Sequence, residues 1–119
     1  MQHLSQKGVS LYLALMIMSV LLALALGISS IFLGQAQTLR QMGYSVVAFY
    51  AADTGIEEVL VNRAAPSSTC TDVSPCALGN GADYFLTITA AGPNCSAYNY
   101  CIKSIGEYQG VKRAIEISY

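Results

Sequence analysis

The stretch "QKGVSLYLALMIMSVLLALALGISSIFLG", residues 6–34, places one lysine and one glycine directly in front of a long apolar run. From Gly8 to Leu39 there is no Asp, Glu, Lys or Arg, and Val9 to Gly34 alone supplies 26 positions. A helix needs roughly 20 apolar residues to cross the hydrocarbon core of a bilayer, so this run spans one with residues to spare. The 54% hydrophobic content is therefore local rather than global: all seven acidic residues lie at Asp53 or beyond. Lys7 and the α-amino group precede the run and only Arg40 follows it closely, which orients the N-terminus toward the cytoplasm and the rest of the chain away from it.

That orientation puts Cys70, Cys76, Cys95 and Cys101 outside the cytoplasm, where four cysteines in a small domain read as two disulfides. Three connectivities are open to them; local pairing, Cys70 with Cys76 and Cys95 with Cys101, is the expectation. Two C-x5-C spacings do not match the tighter knuckles of structural zinc sites, and no histidine follows Gly8. A net charge of −1, with no basic cluster beyond Lys112 and Arg113, lacks the electrostatic footprint of a nucleic-acid binder. Without a histidine, a metal cluster or a glycine-rich phosphate loop, no acid–base or nucleophile assignment can be made, so neither an enzyme nor a cofactor is expected.

Helical periodicity continues beyond the membrane run. Leu39, Met42, Val46, Phe49, Asp53, Ile56 and Leu60 recur in steps of three and four, the spacing of one helix stripe. Pro66 stops the pattern, so a helix over residues 9–63 is expected, membrane-embedded over 9–34 and amphipathic over 35–63. A Ser/Thr/Pro/Gly-rich loop follows. Then come three alternating segments, "DYFLTITA", "AYNYCIKSI" and "VKRAIEISY", joined through "AGPNCS" and "GEYQG". Residues 64–119 are too few to bury a core alone, so the stripe is expected to pack across a small sheet whose loops the disulfides staple. The expected fold class is α+β: a long N-terminal transmembrane and amphipathic helix packed on a three-stranded antiparallel sheet.

The segments "QKGVSLYLAL" and "AFYAADTGIEEVL" (Ala48–Leu60), in front of a disulfide-bearing sheet, resemble type IV pilin-like proteins, most closely PilX-like minor pilins. The resemblance covers about half the chain; the sheet matches only in outline. It implies a pilin-like fold and a prepilin leader over residues 1–8. It also implies cleavage by a prepilin peptidase between Gly8 and Val9, with methylation of the new first residue. Implied partners are membrane lipid, other pilin subunits and assembly-platform proteins. The implied location is the inner membrane, single-pass, with the C-terminal domain outside the cytoplasm, and the cell-surface pilus after assembly. Major pilins carry a glutamate at the fifth mature position; here that residue is Leu13. A buried, unpaired α-ammonium is costly, so a minor subunit fits better than a repeated one.

Asp53 interrupts the stripe with Glu57 four residues on. The pair is expected either as a solvated edge or as an acidic patch meeting Arg113, Lys112 or the Arg40 of a neighbouring subunit. Tyr84, Tyr98, Tyr100 and Tyr119 read as core. The expected function is a minor pilin or pseudopilin; the alternatives are a membrane-tethered binding domain outside any filament and a secreted domain cut after "ALA" at residues 23–25.

Overall fold

The computed structural model describes residues 3–119, with side chains from Gly8 onward. Most of the expected leader therefore lies outside the described side chains. Helix α1 runs His3–Leu60 and is followed by strands β1 (Cys76–Ala77), β2 (Asp83–Gly92), β3 (Cys95–Tyr108) and β4 (Val111–Ser118). The chain divides into two compact units, one ending at Leu39 and one from Arg40 to Tyr119. The class is α+β, with one long apolar helix long enough to cross a membrane and an antiparallel sheet ordered β1-β2-β3-β4.

The helix ends three residues before the expected Arg63. Asn62 N–H donates to the Val59 carbonyl, an i→i−3 bond that closes the last turn and satisfies one of its orphan carbonyls. The sheet has four strands, not three. β1 is a two-residue edge in a Ser- and Pro-rich loop, too short to show alternation; Cys76 opposite Tyr84 and a disulfide to Cys70 hold it in place. The β3–β4 connection is also shorter than "GEYQG" suggests. Gln109 (φ 49°) and Gly110 (φ 77°) form a two-residue turn with both central residues left-handed, the type I′ geometry that suits tight hairpins. Gly106 is thereby left inside β3.

Gly106 is where helix and sheet meet. A methyl group added there would collide with the Ala48 carbonyl oxygen, the Ala52 amide nitrogen and the Ala51 Cβ. One added at Gly55 would collide with Ser104 and the Tyr84 ring. The second unit is thus built on backbone-to-backbone proximity, with Ala48, Ala51, Ala52, Gly55, Ile56 and Val59 of α1 buried and Ala52 at 0% exposure. Tyr84 and Leu86 of β2, with Ile102 and Ser104 of β3, supply the facing layer. Burying a Val, Ile or Leu side chain contributes about 1.5–3 kcal/mol, so Ile56, Val59, Leu86 and Ile102 carry most of the apolar gain while the alanines and glycines set the distance.

The expected packing stripe is consequently corrected. Met42 (59% exposed), Val46 and Phe49 (49% exposed) point away from the sheet, as Leu39 of the first unit is also exposed. Ile56 is buried and Leu60 half-buried, because they lie at the flank of the true face. At about 100° per residue the packed row Ala48-Ala52-Gly55-Val59 is rotated by roughly a third of a turn from the row of large side chains. Large apolar residues at Ala48, Ala52 or Gly55 would hold the helix too far off for Gly106 and Ser104 to touch it.

Ser104 is fully buried, and its hydroxyl has no hydrogen-bond partner among the described residues. An unsatisfied buried hydroxyl costs stability, so Ser104→Ala is expected to leave the melting temperature of the detergent-solubilised chain unchanged or raised. Gly106→Val is expected to destabilise by about 1–3 kcal/mol through overpacking. Met42→Ser and Phe49→Ser should stay within about 0.5 kcal/mol in the same unfolding measurement; a large loss from either would place the packing face on the wrong side of the helix.

Candidate functional site

In the first unit every large side chain from Val9 to Leu39 is exposed, and the run carries no charged side chain, so by length and composition this part of the helix is apolar enough to cross a membrane. Three of its hydroxyls bond back to the helix itself. Ser19 donates to the Met16 carbonyl, Ser29 to Ala25 and Thr38 to Gly34, each bond closing inside the helix. Gly8 and Val9, the expected cleavage pair, lie within α1 and are both exposed.

In the second unit the outer face of α1 gathers Met42, Val46, Phe49 and Tyr50. Phe49 and Tyr50 stack edge to face with centroids 6.4 Å apart. Beside them Arg113 of β4 reaches across and its Nε donates to the Ser45 hydroxyl, closing a shallow cleft lined by Ser45, Val46, Phe49, Tyr50 and Arg113. Arg113 sits on the helix-facing side of β4 because it pairs with Gly106, and the missing side chain of that glycine leaves it room. This cleft and the large apolar side chains around it form the candidate interface. Four such side chains standing in water leave a patch of the kind that marks an interaction surface.

The expected acidic patch is not completed within the chain. Arg113 is engaged by Ser45, and Lys112 pairs with Glu107 at 3.0 Å, the cross-strand neighbour set by register. That is the one ion pair among the described residues. Asp53 is half-exposed, Glu57 exposed, and Arg40 exposed. The carboxylate that does reach the sheet is Glu58, which the sequence reading passed over: its Oε2 accepts the Tyr84 hydroxyl at 2.7 Å. The Cys70 sulfur lies 3.7 Å from the same oxygen, but a disulfide sulfur has no proton to donate, so this is a contact and not a hydrogen bond. Among the described residues no group of three or more His, Cys, Asp or Glu side chains is arranged to hold a metal ion.

Both disulfides close within their own loops, Cys70–Cys76 and Cys95–Cys101. In the second, Cα atoms six residues apart in sequence stand 5.6 Å from each other, where extended chain would separate them by about 20 Å. The intervening residues must therefore loop out. That corrects the reading of Tyr98 as core: it is 92% exposed, while Tyr84 is buried and Tyr100 and Tyr119 are half-buried. Val73 holds the corresponding place in the first ring, at 95% exposure.

The Glu58 hydrogen bond, burial and the negative charge of Glu58 together push the Tyr84 hydroxyl from its ordinary 10.0 up to about 12. The folded state keeps this proton longer than the unfolded chain, so the associated stability is complete below about pH 10 and is lost as pH rises toward 12. Tyr84→Phe is expected to cost about 0.5–1.5 kcal/mol at neutral pH and to flatten that alkaline loss. Unfolding midpoints measured across the alkaline range check both, and an equally steep decline in the Phe variant would remove Tyr84 as the cause. No protein-family model, curated protein or solved structure matches this chain, so the exposed face of α1 and the two disulfide rings are read on their own geometry.

Proposed function

We propose that this chain is a minor structural subunit, a minor pilin or pseudopilin, of a type IV pilus or a related secretion or uptake filament. It inserts through α1 after prepilin-peptidase cleavage between Gly8 and Val9. The observation that carries this reading is the division of faces on the helix: Ala48, Ala51, Ala52 and Gly55 are turned to its own sheet, while Met42, Val46 and Phe49 remain uncovered. A helix that served only as anchor and core would turn its largest apolar side chains inward. One that must pack on other helices keeps them outside.

The role is structural rather than catalytic. α1 first holds the protein in the inner membrane, with the sheet on the far side, and then exchanges lipid for the apolar flanks of other pilin subunits at the assembly platform. Asp53, Glu57 and Arg40, none of them paired within the described chain, are available for contacts between subunits. Leu13 leaves the α-ammonium of a neighbour without a carboxylate, which suits sparing use in the filament. A membrane-tethered binding domain outside any filament is the second reading. Tyr98 favours it, because an aromatic side chain held out on a closed ring is a pre-organised contact.

The intact mass and N-terminal sequence of the protein recovered from membranes test the first reading. The expected result is a chain starting at N-methylated Val9, lost when Gly8 is replaced by a bulky residue. An uncut Met1 start would support the tether, and a start at Leu26 a secreted domain.

A further inference from the structure

The loop before β2 contains "GNG", Gly79-Asn80-Gly81, at the rim of a groove lined by Val47, Tyr50, Ala51, Thr54 and Leu78. We infer that Asn80 is a site of spontaneous, site-selective deamidation, a modification that ages this loop and adds one negative charge to it.

The chemistry needs an accessible backbone nitrogen next to an electrophilic side-chain amide. Gly81 supplies the nitrogen: it is exposed and carries no side chain to block the approach. Its N–H makes none of the backbone hydrogen bonds of the turn, which run from Leu78 N–H to the Ala82 carbonyl at 2.8 Å and from Asn80 N–H to the Leu78 carbonyl. Asn80 is exposed as well, and its Oδ1 accepts the Ala82 N–H at 3.0 Å. That bond draws electron density from Cγ and makes it a better electrophile.

In the reaction the Gly81 nitrogen, losing its proton to solvent base, bonds to Asn80 Cγ; the Cγ–Nδ2 bond breaks and leaves as ammonia. Water then opens the resulting succinimide. Cleavage of its bond to Cγ gives aspartate, and cleavage of its bond to the main-chain carbonyl carbon gives isoaspartate. Only water is consumed, and no oxidant or reductant is required. The other asparagines do not offer this geometry: Asn62, Asn94 and Asn99 precede Arg63, Cys95 and Tyr100, whose side chains crowd the attacking nitrogen.

The product would not be silent. Isoaspartate lengthens the main chain by one methylene between residues 80 and 81, inside the turn that the Leu78–Ala82 bond closes. Ala82 is fully buried and Leu78 packs on the core, so the added length falls between two fixed points. The groove beside Tyr50 and Thr54 then changes both its charge and its rim.

The full-length protein in detergent micelles, aged in mildly alkaline buffer with its disulfides intact, tests the inference by peptide mapping and by methyl labelling with an isoaspartyl methyltransferase. Expected are conversion of Asn80 several-fold faster than of any other asparagine, loss of most methyl uptake in Asn80→Gln, and faster hydrogen exchange at the Leu78 amide of the aged sample. Earlier conversion at Asn62, Asn94 or Asn99 would overturn it. So would an Asn80 that stays an amide in the folded chain while the same residue converts in the reduced, unfolded chain.

Discussion

The contact between the Ala48–Gly55 row of α1 and Gly106 of β3 sets the distance at which everything else in the second unit is arranged. With the helix backbone against the strand, Tyr84 reaches Glu58, Ile102 and Val59 fill the space below, and Arg113 finds Ser45 across the edge of the sheet. A larger residue at Gly106 or Gly55 would separate these partners together, because interiors this dense cannot yield at one point alone. Beside Gly55 the Ser104 hydroxyl is buried with no hydrogen-bond partner among the described residues, so an orphaned hydroxyl accompanies the tight fit.

Small residues on one side of a helix also decide what the other side can do. Since the sheet is met by Ala48, Ala51, Ala52 and Gly55 together with Ile56 and Val59, Met42, Val46, Phe49 and Tyr50 stay outside the core cluster and remain free to be covered from outside. Their burial by another apolar surface would gain about 1.5–3 kcal/mol for each large side chain. A soluble domain with no partner has little reason to keep four of them in water. In a subunit that joins an array of helices, the same four side chains provide the attraction.

Much of this was legible in the sequence, and the part that was not has a physical cause. The long apolar run, the helix that outlasts it, the alternation of Tyr84, Leu86 and Ile88 and the half-buried Ile115 and Ile117 all follow from periodicity and charge. The packing face does not, because a count of large apolar residues scores Phe49 and Met42 above Ala48 and Ala52, although the helix–sheet distance rewards the smaller pair. The signal was present in "AFYAADTG" as Ala51, Ala52 and Gly55 at offsets of three, four and seven from Ala48, a row of minimal side chains rather than maximal ones. β1 was invisible because two residues have no period. Tyr98 was misplaced because a ring closed by Cys95 and Cys101 breaks the alternation that an unconstrained strand would keep. Of the candidate interface, Met42, Val46 and Phe49 were picked out with the wrong orientation, while Arg113 on Ser45 required the register of β3 against β4.

Under the proposed subunit role, the separation of faces bears on how the protein would pass from a membrane into a filament. If the large apolar residues of the second unit formed its core, covering them with another helix would compete with folding, and assembly would have to unpack the sheet first. Here the two demands fall on different sides of α1. The sheet-facing row is fixed by contacts that a new neighbour does not touch, and the outer row can exchange water, lipid or a helix flank without altering the Ala52–Gly106 contact. Under the proposed subunit role, the chain would dock as a finished domain, and the free energy of covering Met42, Val46 and Phe49 would go into association rather than into refolding.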